Sequence, residues 1–100
     1  MSERPRAAAV VGRGVVDPTA ALVAADDEGF ARGRAAFETL RVYGGRPFRL
    51  AEHLDRLAGS AARLGLPAPD AGGFRQAAVA ALREAGLGEA VLRFYWTPGV

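Results

Sequence analysis

The periodicity of the chain changes within one short stretch, "FETLRVYGGRPFRLAEHLDRL", from Phe37 to Leu57. Ala35–Tyr43 reads as a strand. Phe37, Thr39, Arg41 and Tyr43 lie on one face, and Ala36, Glu38, Leu40 and Val42 on the other, because successive strand side chains point to opposite sides. Each face mixes apolar and polar groups, which suits a sheet with one wall near a site. Gly44-Gly45 supplies the positive backbone angles of a two-residue hairpin turn. The return arm, Arg46–Arg49, contains Pro47. Proline cannot donate to a ladder, so this arm belongs at a sheet edge. From Leu50 the spacing becomes helical, and Leu50, Leu54, Leu57, Ala61 and Leu64 form one apolar stripe. His53, Arg56, Ser60 and Arg63 share a neighbouring flank, three or four residues apart.

The remaining segments fill out this plan. Gly65 and Pro67 end the helix, and Asp70 is placed to cap a second one over Ala71–Ala85. Its inner stripe is Phe74, Ala78, Ala81 and Ala85, with Gly86 as terminator. Glu89–Thr97, "EAVLRFYWT", is the last strand. Ala90, Leu92, Phe94 and Trp96 alternate with Val91, Arg93, Tyr95 and Thr97, both sets largely apolar, which predicts a central strand. A guanidinium at Arg93 on such a strand needs a carboxylate, phosphate or carbonyl partner. Upstream, Met1–Arg6 reads as loose, Ala7–Val16 as a short strand bent at Gly12 and Gly14, and Asp17–Ala20 as a turn. The fold class is α+β, a small and mainly antiparallel sheet with two helices packed on one side. Residues 1–100 form one domain.

Composition excludes several functions. With no cysteine and one histidine, no disulfide framework, thiolate nucleophile, or Cys- or His-cluster metal site is possible within the chain. The acidic run Asp26-Asp27-Glu28 lacks a second ligand cluster and reads as solvated, or as a cap on a short helix. The net charge is only +2, and the arginines are scattered with no aromatic–basic stripe, so nucleic acid is not an expected partner. The apolar run after Arg4 and Arg6 is too short for a secretion signal, and nothing approaches the roughly 20 residues of a membrane span. A cytoplasmic protein without membrane contact is the expectation. All 13 Lys or Arg residues are arginine, so lysine is absent.

Taken singly, the polar residues have plain readings. Arg56 reads as a solvated helix residue, Arg93 as a structural ion-pair partner and His53 as a structural hydrogen-bonding group, since no nucleophile is visible beside it.

Their order is more informative. "ARGRAAFETLRVYGGRPFRLAEHLDRLAGSAARLGLP", followed by "VLRFYWTPG", resembles the N-terminal small domain of the class IV aminotransferases, pyridoxal-phosphate enzymes of fold type IV. That family includes branched-chain and D-amino-acid aminotransferases and 4-amino-4-deoxychorismate lyases. The resemblance runs from about Asp26 to Gly99.

It implies that Arg56, in "EHLDRL", binds the cofactor phosphate, a role that suits a planar and permanently charged guanidinium. It implies that Phe37 and Arg93 line the substrate pocket, although Val91 stands where branched-chain enzymes carry tyrosine. It also implies a homodimer. The family's catalytic lysine lies in a larger C-terminal domain, so this chain is expected to be a small domain without its catalytic half, inactive alone. Thr39 departs from the branched-chain pattern. Pro98 stands where D-amino-acid enzymes, and often lyases, carry arginine. Elimination favours a lyase-like or broad aminotransferase-like member, the lyase releasing pyruvate and leaving 4-aminobenzoate, a folate precursor. The alternative is a non-catalytic remnant serving as a dimerisation or binding module.

Overall fold

A computed structural model describes residues 4–20 and 22–100; the expected loose start at Met1–Arg6 lies outside the described residues from Met1 to Glu3. In chain order the elements are β1 (Ala8–Val10), β2 (Gly14–Val16), α1 (Glu28–Arg32), β3 (Ala36–Tyr43), β4 (Arg46–Pro47), α2 (Leu50–Arg63), α3 (Ala71–Ala85) and β5 (Ala90–Trp96). They make a three-stranded antiparallel sheet, ordered β4-β3-β5, and a separate antiparallel pair, β1-β2. The α+β class holds, with three helices and two small sheets.

The strand expected over Ala7–Val16 is instead a hairpin. Gly12 and Gly14 adopt φ of 82° and 85°, which turns the chain back so that Ala8 pairs with Val16.

Strict alternation organises the main sheet. Ala36, Glu38, Leu40 and Val42 of β3 are buried, whereas Phe37, Thr39, Arg41 and Tyr43 are exposed. Ala36 and Leu40 of this set join Leu54, Leu57 and Ala61 of α2, Phe74 and Ala78 of α3 and Phe94 of β5 in the core. Phe74 packs on Phe94 with ring centroids 5.0 Å apart, and Trp96 meets Phe74 edge-on at 5.8 Å. Both long helices therefore cover one face of the sheet.

Two expectations change here. Strand β5 is an edge strand among the described residues, not a central one, and Val91, Arg93 and Tyr95 are exposed. Its apolar content on both faces reflects a covered face and an open apolar face. The helical stripe also ends early, because Leu64 is the C-cap of α2 and is 43% exposed.

Short polar ties fix the rest. Asp27 caps α1 by accepting from the Gly29 and Phe30 amides, and its other oxygen accepts from the Thr97 hydroxyl at 2.9 Å. The Glu28 amide donates to the Gly99 carbonyl at 2.8 Å. These bonds tie the segment before β3 to the segment after β5. At the other end, the Gly44-Gly45 turn donates to Glu89 Oε2 and the Gly88 carbonyl, each at 2.8 Å. Asp70 caps α3 through the Gly73 amide.

Candidate functional site

The open face of the sheet is built by register. Phe37 lies opposite Tyr95, Thr39 opposite Arg93, and Arg41 opposite Val91. Phe37, Thr39, Arg93 and Tyr95, with Glu38 between them, line a depression of about 270 Å³. Arg93 has no carboxylate partner among the described residues. The partner expected for a buried guanidinium is not required, because Arg93 stands on a face open to solvent. Arg41 is on the same face, its guanidinium carbon 5.7 Å from the Tyr43 ring centroid. Aromatic walls beside two unpaired guanidiniums suit a small, flat, anionic molecule.

Arg56 belongs to a different face. It projects from α2, which packs on the covered side of β3. There Glu38 is buried, at 8% exposure. Its Oε1 accepts from His53 Nδ1 at 2.8 Å, and Arg56 Nε lies 3.6 Å from the same oxygen. A carboxylate only accepts, so Nδ1 carries the proton of that bond. The 3.6 Å contact is an ion pair beyond hydrogen-bond length. The Arg56 side chain is 73% exposed and its Nη atoms have no hydrogen-bond partner among the described residues. Against an exposed partner, such a pair contributes roughly 0–1 kcal/mol.

The structure thus brings two of the three expected site residues, Phe37 and Arg93, onto one face, and seats Arg56 across the sheet beside Glu38. Thr39, Arg41 and Tyr95 are not site residues in the sequence reading, although the strand alternation already places Thr39 and Arg41 with Phe37. Glu38 was also missed. Its signal was a carboxylate on the apolar side of a strand, facing a helix with His53 and Arg56 three residues apart. The acidic run holds no site: Asp27 is consumed in capping, and no cluster of His, Asp or Glu suited to a metal ion occurs among the described residues.

The antiparallel sheet is thus covered on one face by helices and carries aromatic and arginine side chains on its bare face. Residues 35–100 match the family model described as amino-transferase class IV, and the chain belongs to that family. It is 41% identical over 63 residues to a bifunctional aminodeoxychorismate lyase / D-amino acid transaminase of Mycobacterium tuberculosis, a match covering 63% of this chain and 22% of that protein. A fold IV-transaminase from Curtobacterium pusillum superposes with a TM-score of 0.81 at 38% identity, covering 91% of this chain and 33% of the other. The PLP-bound form of a hypothetical aminotransferase from M. tuberculosis gives a TM-score of 0.85 at 33% identity, covering 93% and 34%. The chain therefore spans about a third of the length of these solved relatives. Among the described residues no helix is long and apolar enough to cross a membrane.

Proposed function

We propose that this chain is the small-domain wall of a pyridoxal-phosphate site in a class IV aminotransferase or aminodeoxychorismate lyase. The observation that carries the reading is the bare sheet face, where Phe37, Thr39, Arg93 and Tyr95 converge on one depression. In this arrangement Phe37 and Tyr95 form the apolar sides, and Arg93 supplies positive charge for a substrate carboxylate. Arg41 adds a second charge on the same face.

The residues present fit one part of the cofactor. Arg56 has a guanidinium whose Nη groups are unengaged and exposed, which suits phosphate oxygens. When bound, the cofactor supplies the electron sink for the substrate's reacting carbon. This chain's residues bind and orient. None of their side chains can hold the cofactor covalently through an amine, because the sequence has no lysine. That group belongs to a larger C-terminal domain in this reading, and the chain by itself is inactive.

The test uses this domain joined to a large domain of the family. Arg56→Ala weakens pyridoxal-phosphate affinity by about 10- to 100-fold, as expected from the loss of a charge-assisted bond. Arg56→Lys recovers part of that loss, keeping the charge without the fork. The readout is cofactor titration of the apo-protein, with circular dichroism to confirm folding. Unchanged affinity in a folded Arg56→Ala protein returns Arg56 to a solvated helix residue.

A second reading rests on the exposed Phe37, Val91 and Tyr95 of the open sheet face. These make a dimerisation module if the same face pairs with a second copy. Light scattering tests the second reading: a 100-residue chain that is monomeric, or a dimer that persists in Tyr95→Ser, removes this face as an interface.

A further inference from the structure

Glu38 is the one buried charged side chain among the described residues. Burying a carboxylate is costly unless it is paired. Both of its partners come from α2, at positions three apart, and both approach the same oxygen. No nucleophile lies beside it, so general-base chemistry has no object here.

We infer that Glu38 is a positioning residue for Arg56, with His53 holding the Glu38 carboxylate in place. This rests on the reading of Arg56 as the phosphate ligand. The geometry is the argument. Nε, the guanidinium nitrogen nearest the chain, makes the ion-pair contact with Glu38 at 3.6 Å, on a side chain that is otherwise 73% exposed. An ion pair at Nε narrows the orientations of the planar guanidinium, so its Nη fork is partly aimed before an anion arrives and less rotamer entropy is lost on binding. His53 holds the carboxylate by a 2.8 Å bond, which stops it from following the exposed arginine into solvent.

Charge alone does not account for the arrangement. A carboxylate this close to Arg56 works against anion binding by simple repulsion. What Glu38 adds is orientation. Its neighbours in sequence, Phe37 and Thr39, face the opposite side and line the depression. One strand position thus fixes the helix residue, while the positions on either side meet the ligand.

Because repulsion and positioning act in opposite directions on affinity, the deciding measurement is the mobility of the guanidinium. The experiment is ¹⁵N relaxation of the arginine Nε–H groups in the 100-residue chain. In the wild type, the Arg56 Nε–H order parameter stands clearly above those of Arg75 and Arg83, which are exposed on α3 and fall below about 0.6. Glu38→Gln brings Arg56 down to the level of Arg75 and Arg83, with the circular dichroism unchanged. His53→Ala lowers it part of the way. An Arg56 as mobile as Arg75 and Arg83 in the wild type overturns the inference without any variant, so a misfolded Glu38→Gln protein does not rescue it. Inorganic phosphate, titrated into the millimolar range, then shifts the Arg56 Nη signals and leaves those of Arg75 in place. A rigid Nε–H with no phosphate response at Arg56 overturns the phosphate reading instead, leaving Glu38 as a clamp on a structural arginine.

Discussion

Leu57→Ala tests the packing that holds the two site faces together. Leu57 has 0% exposure and sits between α2 and the covered face of β3. The substitution removes three carbon groups, at about 0.8 kcal/mol each, or about 2.4 kcal/mol of transfer free energy. The cavity left in a packed core adds to this, and buried leucine truncations cost about 2.7–5.0 kcal/mol. Unfolding free energies of small domains are roughly 5–15 kcal/mol, so the loss is a large fraction of the whole. The assay is urea denaturation followed by the fluorescence of Trp96, the single tryptophan, whose Nε1 donates to the Pro67 carbonyl at 2.7 Å. With a slope of about 1 kcal/mol/M, the midpoint falls by about 3 M at constant slope. Leu64→Ala is the control, since Leu64 has the same place in the sequence stripe but is 43% exposed. It should move the midpoint by less than about 1 M. Equal shifts for the two variants would refute the assignment of Leu57, and not Leu64, to the core.

Two further outcomes concern the Asp17 turn and helix α1. The Asp17 carboxyl is held below its ordinary value, first by the Thr19 amide and then by the Thr19 hydroxyl. Thr19→Ala removes only the second bond, so the Asp17 midpoint rises part of the way back in a ¹³C NMR titration. An unmoved midpoint removes the hydroxyl as a cause. Because the folded value lies below the unfolded one, the associated stability is present above the unfolded value and is lost as pH falls through the folded value. At Gly29, an added Cβ would overlap the Thr97 side chain, coming 2.8 Å from its Cβ. Gly29→Ala should destabilise by about 1–3 kcal/mol and break the Asp27–Thr97 bond. Gly72→Ala, whose Cβ meets nothing closer than 3.7 Å, should not; similar urea midpoints for both variants would remove the close approach as the cause.

Much of the fold was legible because periodicity reports burial. The alternation over Ala36–Tyr43 sorts the side chains into the two sets that the sheet separates, and the stripe through Leu54, Leu57 and Ala61 places a buried helix face. Strand β5 shows where that signal fails. Val91 and Tyr95 are apolar, and an apolar residue on an open face reads from sequence like one in a core. The hairpin at Ala8–Val16 was read as a single strand because two glycines in a short apolar run mark either a bulge or a reversal, and only long-range packing decides. At the site, Phe37 and Arg93 came from the resemblance, and register puts them on one face. The pairing of Glu38 with Arg56 could not be read locally, because it depends on how α2 rotates against the sheet.

The division of labour along β3 has an evolutionary consequence. Odd-numbered positions from Phe37 to Tyr43 touch the open side, and even-numbered positions from Ala36 to Val42 touch the interior. In the proposed function, where the open face lines a substrate cleft, substitutions at the odd positions change what the cleft accepts while leaving the core packing in place, so a lineage can explore new substrates there one residue at a time. A deletion or insertion of a single residue is a different event. It exchanges the two sets, sending Phe37 and Arg41 inward and Glu38 outward, and forfeits the core and the cleft together. Selection on this strand should therefore tolerate variety in its letters and almost none in its length.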